Sequence, residues 1–314
     1  MFLNVFLVFI ILGEILGFSS VQEKILSNRE KQGIEEQGLK EQTLGAKSLP
    51  QIGLEEIAPL PVSNSSDSTQ SIETRAPAAA ILDLKTNKIL YQKNSQKDFS
   101  IASITKLMSA VVLFENFDLK ETVTVSPKSA YILGSKMHLY SGEQIRAEEL
   151  VKGMLIVSAN DAAKALEEHY GKDKVVEKMN QKAAFLNLKE SHFVEVSGLD
   201  SGNKSSARDL IILTRYALEN SKIAELVKTK EYTVVSTDGK LQHLIHTTNR
   251  LLKNYPDIFG VKTGYTEEAG NCLIAGAENS GHRIISVVLG VDNYDLRFSE
   301  SRALLDWAFN NYNW

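Results

Sequence analysis

Three short groups of polar residues could together carry out acyl transfer. Ser103-Ile104-Thr105-Lys106 sets a hydroxyl and an amine three positions apart. On a helix such positions share a face, so the amine can reach the hydroxyl oxygen. A serine hydroxyl becomes a nucleophile when a base takes its proton, and a lysine is a base only when neutral. Burial, and the positive charge of Lys262, would lower the Lys106 pKa toward that state. A helix N-terminus would also favour the developing alkoxide. Ser158-Ala159-Asn160 supplies a second hydroxyl, able to pass a proton to a leaving amine, and an amide able to bond a substrate amide. Lys262-Thr263-Gly264 is the third group. On a strand it would offer its edge to an extended peptide, with Lys262 and Thr263 meeting a carboxylate and Gly264 allowing close backbone approach. The backbone N–H groups of Ser103 and Tyr265 would then form an oxyanion hole.

The surrounding elements must bring these groups together. Residues 78–84 and 89–92, joined by Lys85-Thr86-Asn87-Lys88, read as a β-hairpin. Ile101, Ile104, Leu107, Met108, Val111, Val112 and Phe114 repeat at helical spacing, apolar nearly all round, which predicts a buried helix. Further helices are expected over residues 148–157, 161–170, 175–186 and 207–219. Strands follow over 259–264, 271–277 and 283–291, with a turn at Asn279-Ser280-Gly281-His282, and an amphipathic helix over 298–312 closes the chain. This order implies an α/β (α+β) fold: a mostly antiparallel sheet built from both chain ends, flanked by helices, with a helical block inserted.

Ahead of it, residues 1–20 hold an apolar run long enough for a signal peptide or an N-terminal membrane anchor. Residues 21–75 are polar and charged, too poor in apolar surface to offset their ordering entropy, and read as a flexible linker. The folded domain is expected over residues 76–314, on the outer side of a bacterial cytoplasmic membrane or in the periplasmic or cell-wall space.

The ordered set of three motifs resembles the signature of penicillin-binding proteins and class A β-lactamases. More closely, residues 76–314 resemble the low-molecular-mass penicillin-binding proteins that act as D-alanyl-D-alanine carboxypeptidases, peptidase family S11. The likeness extends to Ser197-Gly198-Leu199-Asp200, Ser206-Ala207-Arg208-Asp209-Leu210 and Thr248-Asn249-Arg250-Leu251-Leu252. It implies acylation of Ser103 by the penultimate D-Ala carbonyl of a peptidoglycan stem peptide ending in D-Ala-D-Ala. Lys106 and Ser158 would be catalytic, with Asn160, Lys262, Thr263, Gly264 and Tyr265 binding substrate. β-Lactam antibiotics would act as covalent inhibitors, and Arg297 would partner the terminal carboxylate. Two alternatives stand beside this one. Glu195 follows the S-x-N motif at a distance comparable to the deacylating glutamate of class A β-lactamases, and a catalytically silent penicillin-binding protein would share the scaffold.

Other features point away from chemistry. A formal net charge of −4 offers no basic excess for nucleic acid. The single cysteine, Cys272, lies in an apolar run and reads as a buried hydrophobe. His243 and His246 would face opposite sides of a strand, and no histidine, cysteine or carboxylate cluster has metal-ligand spacing, so neither metal nor cofactor is expected. Ser201-Gly202-Asn203-Lys204 also satisfies S-x-x-K, but its Gly- and Ser-rich loop cannot bury the lysine. Asp161 reads as a helix cap.

Overall fold

A central strand made of small residues explains the layering. In Ala78–Asp83 (β1) every residue is buried. Ala78, Ala80 and Leu82 face one hydrophobic core and Ala79 and Ile81 another. The computed structural model describes residues 60–63 and 72–314, all within the unit Glu56–Trp314. Ile89–Lys93 (β2), Ile258–Thr266 (β3), Gly270–Asn279 (β4) and His282–Val291 (β5) complete a five-stranded sheet of order β3-β4-β5-β1-β2. Every pairing is antiparallel, and strands from the two chain ends meet where β5 pairs with β1. β4 divides its side chains between the two cores as β1 does: Cys272 and Ile274 face one, Leu273, Ala275 and Ala277 the other.

The helical block lies on the first face. Its centre is Thr105–Asn116 (α1), whose residues from Thr105 to Leu113 are all buried, as an apolar pattern on every side requires. Around it lie Ala147–Ile156 (α2), Asn160–Tyr170 (α3), Lys172–Phe185 (α4) and Ala207–Glu219 (α5). Leu296–Asn311 (α6) covers the opposite face, burying Phe298, Leu304, Leu305 and Ala308 against the sheet. The α+β sheet with its inserted helical block is therefore as expected, and Cys272 is buried on β4.

Two expectations shift. The folded unit takes in residues ahead of Ala76: Val62–Ser63 pairs with Tyr312–Asn313, the Thr74 hydroxyl donates to Glu300 Oε2 at 2.7 Å, and Arg75 N donates to the same oxygen. Asp161 is not the N-cap residue of α3, but its carboxylate accepts from the first-turn Ala162 N at 2.9 Å. It also accepts from Met137 N and Leu139 N, both at 3.1 Å, and so pins the 137–139 loop to the helix start. The apolar segment at 1–20 and most of the expected linker lie outside the described residues. Among the described residues, no helix is long and apolar enough to cross a membrane.

α1 should therefore dominate stability. Leu107 is fully buried, and Leu107→Ala should lower the unfolding free energy by about 2–5 kcal/mol in a urea titration. A loss below about 1 kcal/mol would contradict the central packing of α1.

Candidate active site

The chain enters α1 through a single 3-10 turn, Ala102–Ile104, which carries Ser103. Ala102 has φ 45°, a left-handed conformation costly for a residue with a side chain. Two glycines press on this turn. A Cβ on Gly198 would lie 2.0 Å from Ala102 O and 2.8 Å from Ser103 N, and one on Gly264 would lie 2.9 Å from Ile101 O. Only glycine lets the 197–199 loop and strand β3 close on the nucleophile from both sides.

One turn further, Lys106 points inward and is completely buried. Its Nζ lies 2.9 Å from Ser103 Oγ, 2.7 Å from Asn160 Oδ1 and 2.5 Å from Ser197 O. A neutral amine has two N–H groups and one lone pair. Asn160 Oδ1 and the Ser197 carbonyl can only accept, so they take the two N–H groups, and the lone pair is left facing the Ser103 hydroxyl. Burial supports the neutral form. It lowers the Lys106 pKa to about 7, while the carboxylates of Glu195 and Asp161 pull the other way. Burial, one of the two causes expected, is thus the largest one.

Ser158 lies between α2 and α3, also with positive φ, 65°. Its hydroxyl accepts from Lys262 Nζ at 2.7 Å across 104 residues of sequence. Lys262, on β3, is buried and donates also to Thr263 O at 3.0 Å. Burial, then the neighbouring cations Lys106 and Arg297, push its pKa well below the usual lysine range. The Ser158 oxygen thus accepts from Lys262, which leaves the Ser158 O–H free to donate into the cavity.

Asn160 is held from three sides. Its Oδ1 holds Lys106, its Nδ2 donates to Leu133 O at 2.8 Å and its backbone N donates to Ser135 O at 2.7 Å. One side-chain N–H is left for a bound peptide. The Thr263 hydroxyl lies 2.6 Å from that of Thr248. Arg297, at the start of α6, is buried and donates through Nη1 to Gly264 O at 3.0 Å. Its guanidinium lies 4.3 Å from the Tyr294 ring centroid and 4.8 Å from that of Phe298.

These elements enclose a cavity of about 310 Å³. Ser103, Ser158, Asn160, Thr263, Gly264, Tyr265 and Arg297 all line it, with Lys106 and Lys262 directly behind Ser103 and Ser158. The site residues singled out in the sequence therefore converge. The competing motif does not join them: Asn203 is buried as a loop brace, and Lys204 pairs at the surface with Asp98. Glu195 faces its own loop, its carboxylate accepting from Ser197 N, Ser197 Oγ, Gly198 N and Asn203 Nδ2. Sequence reasoning missed the Ser197 carbonyl, Thr248 and the Gly134–Ser135 segment of the cavity wall. The first two sit in stretches carrying the family likeness, whereas residues 133–135 have no pattern to betray them.

A family model described as D-alanyl-D-alanine carboxypeptidase matches residues 64–293. D-alanyl-D-alanine carboxypeptidase DacF of Bacillus subtilis is 36% identical over 253 residues, 78% of this chain and 64% of that protein. D-alanyl-D-alanine carboxypeptidase DacD of Escherichia coli is 32% identical over 262 residues, 78% of this chain and 66% of that one. The chain thus spans a little under two thirds of the length of these two relatives. The crystal structure of the Streptomyces K15 DD-transpeptidase superposes with a TM-score of 0.72 at 30% identity, covering 76% of this chain and 99% of that one.

The close approach of Gly198 to the nucleophile turn has a direct consequence. Gly198→Ala adds a Cβ at positive φ against backbone that cannot yield, and it should cost roughly 1–3 kcal/mol or more of stability in a urea titration. An unchanged midpoint would contradict that contact.

Proposed function

The chain belongs to the D-alanyl-D-alanine carboxypeptidase family, and from that premise we propose that it is a serine carboxypeptidase acting on peptidoglycan stem peptides that end in D-Ala-D-Ala. The observation that carries the reading is the fully buried Lys106 amine bonded to Ser103 Oγ. In this mechanism Lys106 takes the Ser103 proton as the oxygen attacks the penultimate D-Ala carbonyl. The backbone N–H groups of Ser103 and Tyr265 receive the developing oxyanion. Ser158, with Lys262 behind it, passes a proton to the departing D-Ala amine and is reprotonated in turn, the proton that Lys106 took from Ser103 balancing the step and leaving Lys106 neutral again. Water then releases the shortened peptide from the Ser103 ester.

Substrate enters along β3, which is an edge strand of the sheet. An extended peptide gains backbone hydrogen bonds there without displacing a neighbouring strand. Its terminal carboxylate meets the Thr263 hydroxyl and the guanidinium of Arg297, which Gly264 O and the Tyr294 and Phe298 rings hold toward the cavity. A β-lactam presents an acyl group and a carboxylate at similar spacing, so it acylates Ser103 in place of substrate. The β-lactamase alternative gains no support from Glu195, whose carboxylate is committed to its own loop. The apolar N-terminal run supports export, with the protein working outside the cytoplasmic membrane and reaching it through that segment.

Intact-mass spectrometry of the protein mixed with penicillin tests the reading. A persistent adduct on Ser103 is expected, and Ser103→Ala should abolish it; an adduct retained in that variant would remove the central claim. Lys106→Ala should slow acylation about 10²–10⁴-fold, and an unaffected rate would mean another base. With a base of pKa about 7, only the neutral fraction is competent. The acylation rate of the unaltered protein should therefore rise with pH up to about 7 and level off above it. A rate that keeps rising well above pH of about 7 would contradict a Lys106 that is neutral near neutral pH.

A further inference from the structure

The Glu195 carboxylate, set aside as a deacylating group, is placed to act on the acylation step. It binds two stretches of chain that both touch the nucleophile turn. On one side it accepts from Ser197 N and Ser197 Oγ, each at 2.6 Å, and from Gly198 N. The Ser197 carbonyl is the acceptor that holds Lys106 Nζ, and Gly198 is the residue pressed against Ala102 O and Ser103 N. On the other side it accepts from Asn203 Nδ2. Asn203 is fully buried, its Oδ1 accepts from Val194 N at 2.7 Å, and its backbone carbonyl accepts from Ile101 N at 3.2 Å, two residues ahead of Ser103. Four donors on one carboxylate use its full set of lone-pair sites. No neutral side chain of this size accepts so many bonds.

We propose that Glu195 is a positioning residue for acylation: its carboxylate locks both loops against the Ser103 turn, one of them the loop whose carbonyl holds the Lys106 amine. The inference rests on Lys106 being the base. The charged groups facing Lys106 are Glu195 and Asp161, which favour its protonated form, and Lys262, backed by Arg297, which is coupled to it with the opposite sign. Asp161 is bound to the 137–139 loop. Glu195 is the carboxylate bound to the same loop whose carbonyl holds the amine, so geometry and charge act together there. Removing its charge makes Lys106 easier to deprotonate. Shortening it keeps the charge but breaks the reach to both loops.

The test is the acylation rate of the full chain by a fluorescent penicillin across about pH 5–9, a range that brackets the Lys106 transition, compared with Glu195→Gln and Glu195→Asp. In Glu195→Gln the rising limb should move to lower pH by about 1 unit, as expected for losing a nearby opposite charge. In Glu195→Asp the limb should stay in place while the plateau falls severalfold. A limb that does not move in Glu195→Gln overturns the charge role, and an unchanged plateau in Glu195→Asp overturns the positioning role. Should Glu195→Gln yield no soluble protein, the aspartate variant decides the positioning role alone: a lower plateau on an unmoved limb supports it, and an unchanged plateau overturns it. Failure of the underlying reading looks different, because labelling would then survive Ser103→Ala in an otherwise unaltered protein.

Discussion

A fully buried amine, held by two acceptors and facing one hydroxyl, is the constraint on which this molecule is arranged. Lys106 has no exposure at all. Burying an ammonium costs several kcal/mol, and the protein meets that cost by letting the group shed its proton rather than by pairing it with a carboxylate. Asn160 Oδ1 and Ser197 O bind the N–H groups and leave the basic electron pair toward Ser103. A directly bonded carboxylate would have stabilised the cation and removed the base. The nearby acids Glu195 and Asp161 instead commit their oxygens to donors on neighbouring loops and act on Lys106 only through space.

The fold follows from the need to surround that amine. α1 must be buried on all sides, so helices pack around it and the sheet closes on the turn at its start. The sheet in turn must approach closely, which is why Gly264 stands where β3 passes Ile101 and Ile104. Backbone strain collects at the same place. Ala102 and Ser158 both adopt left-handed conformations, and each brings a serine hydroxyl up to a buried lysine: Ser103 to Lys106, and Ser158 to Lys262. Such conformations cost on the order of 1–3 kcal/mol each and persist where the surroundings over-determine them. Here the packing of Gly198 and the bond from Lys262 supply that determination.

Much of this was legible in the sequence, for physical reasons that also mark where it stopped. Hydrophobic period gave α1 and the strands of the sheet, because burial on one or both faces leaves a regular trace; the helix expected at 207–219 is Ala207–Glu219 as found. The motif residues were legible because serine and lysine three apart on a helix have little else to do in a core. The pairing of Val62–Ser63 with Tyr312–Asn313 left no trace, since two residues carry no period. The third partner of Lys106 was hidden because it is a backbone carbonyl, which any residue type could have supplied. Asn160 and Asp161 have further partners that residue type does not show: one also holds Lys106 and Leu133, the other a loop as well as the helix start. Residue type announced a polar anchor in each case, and only the fold says what it anchors.

The central claim is that Lys106 is neutral near neutral pH, and its ionisation can be observed without any substrate. Side-chain NMR of lysine-labelled protein, with the Lys106 resonance assigned by its loss in Lys106→Ala, would follow that amine through a pH titration. The account predicts a transition at about 7. A Lys106 amine that stays protonated to about pH 9 or beyond, close to the ordinary lysine value, would contradict it.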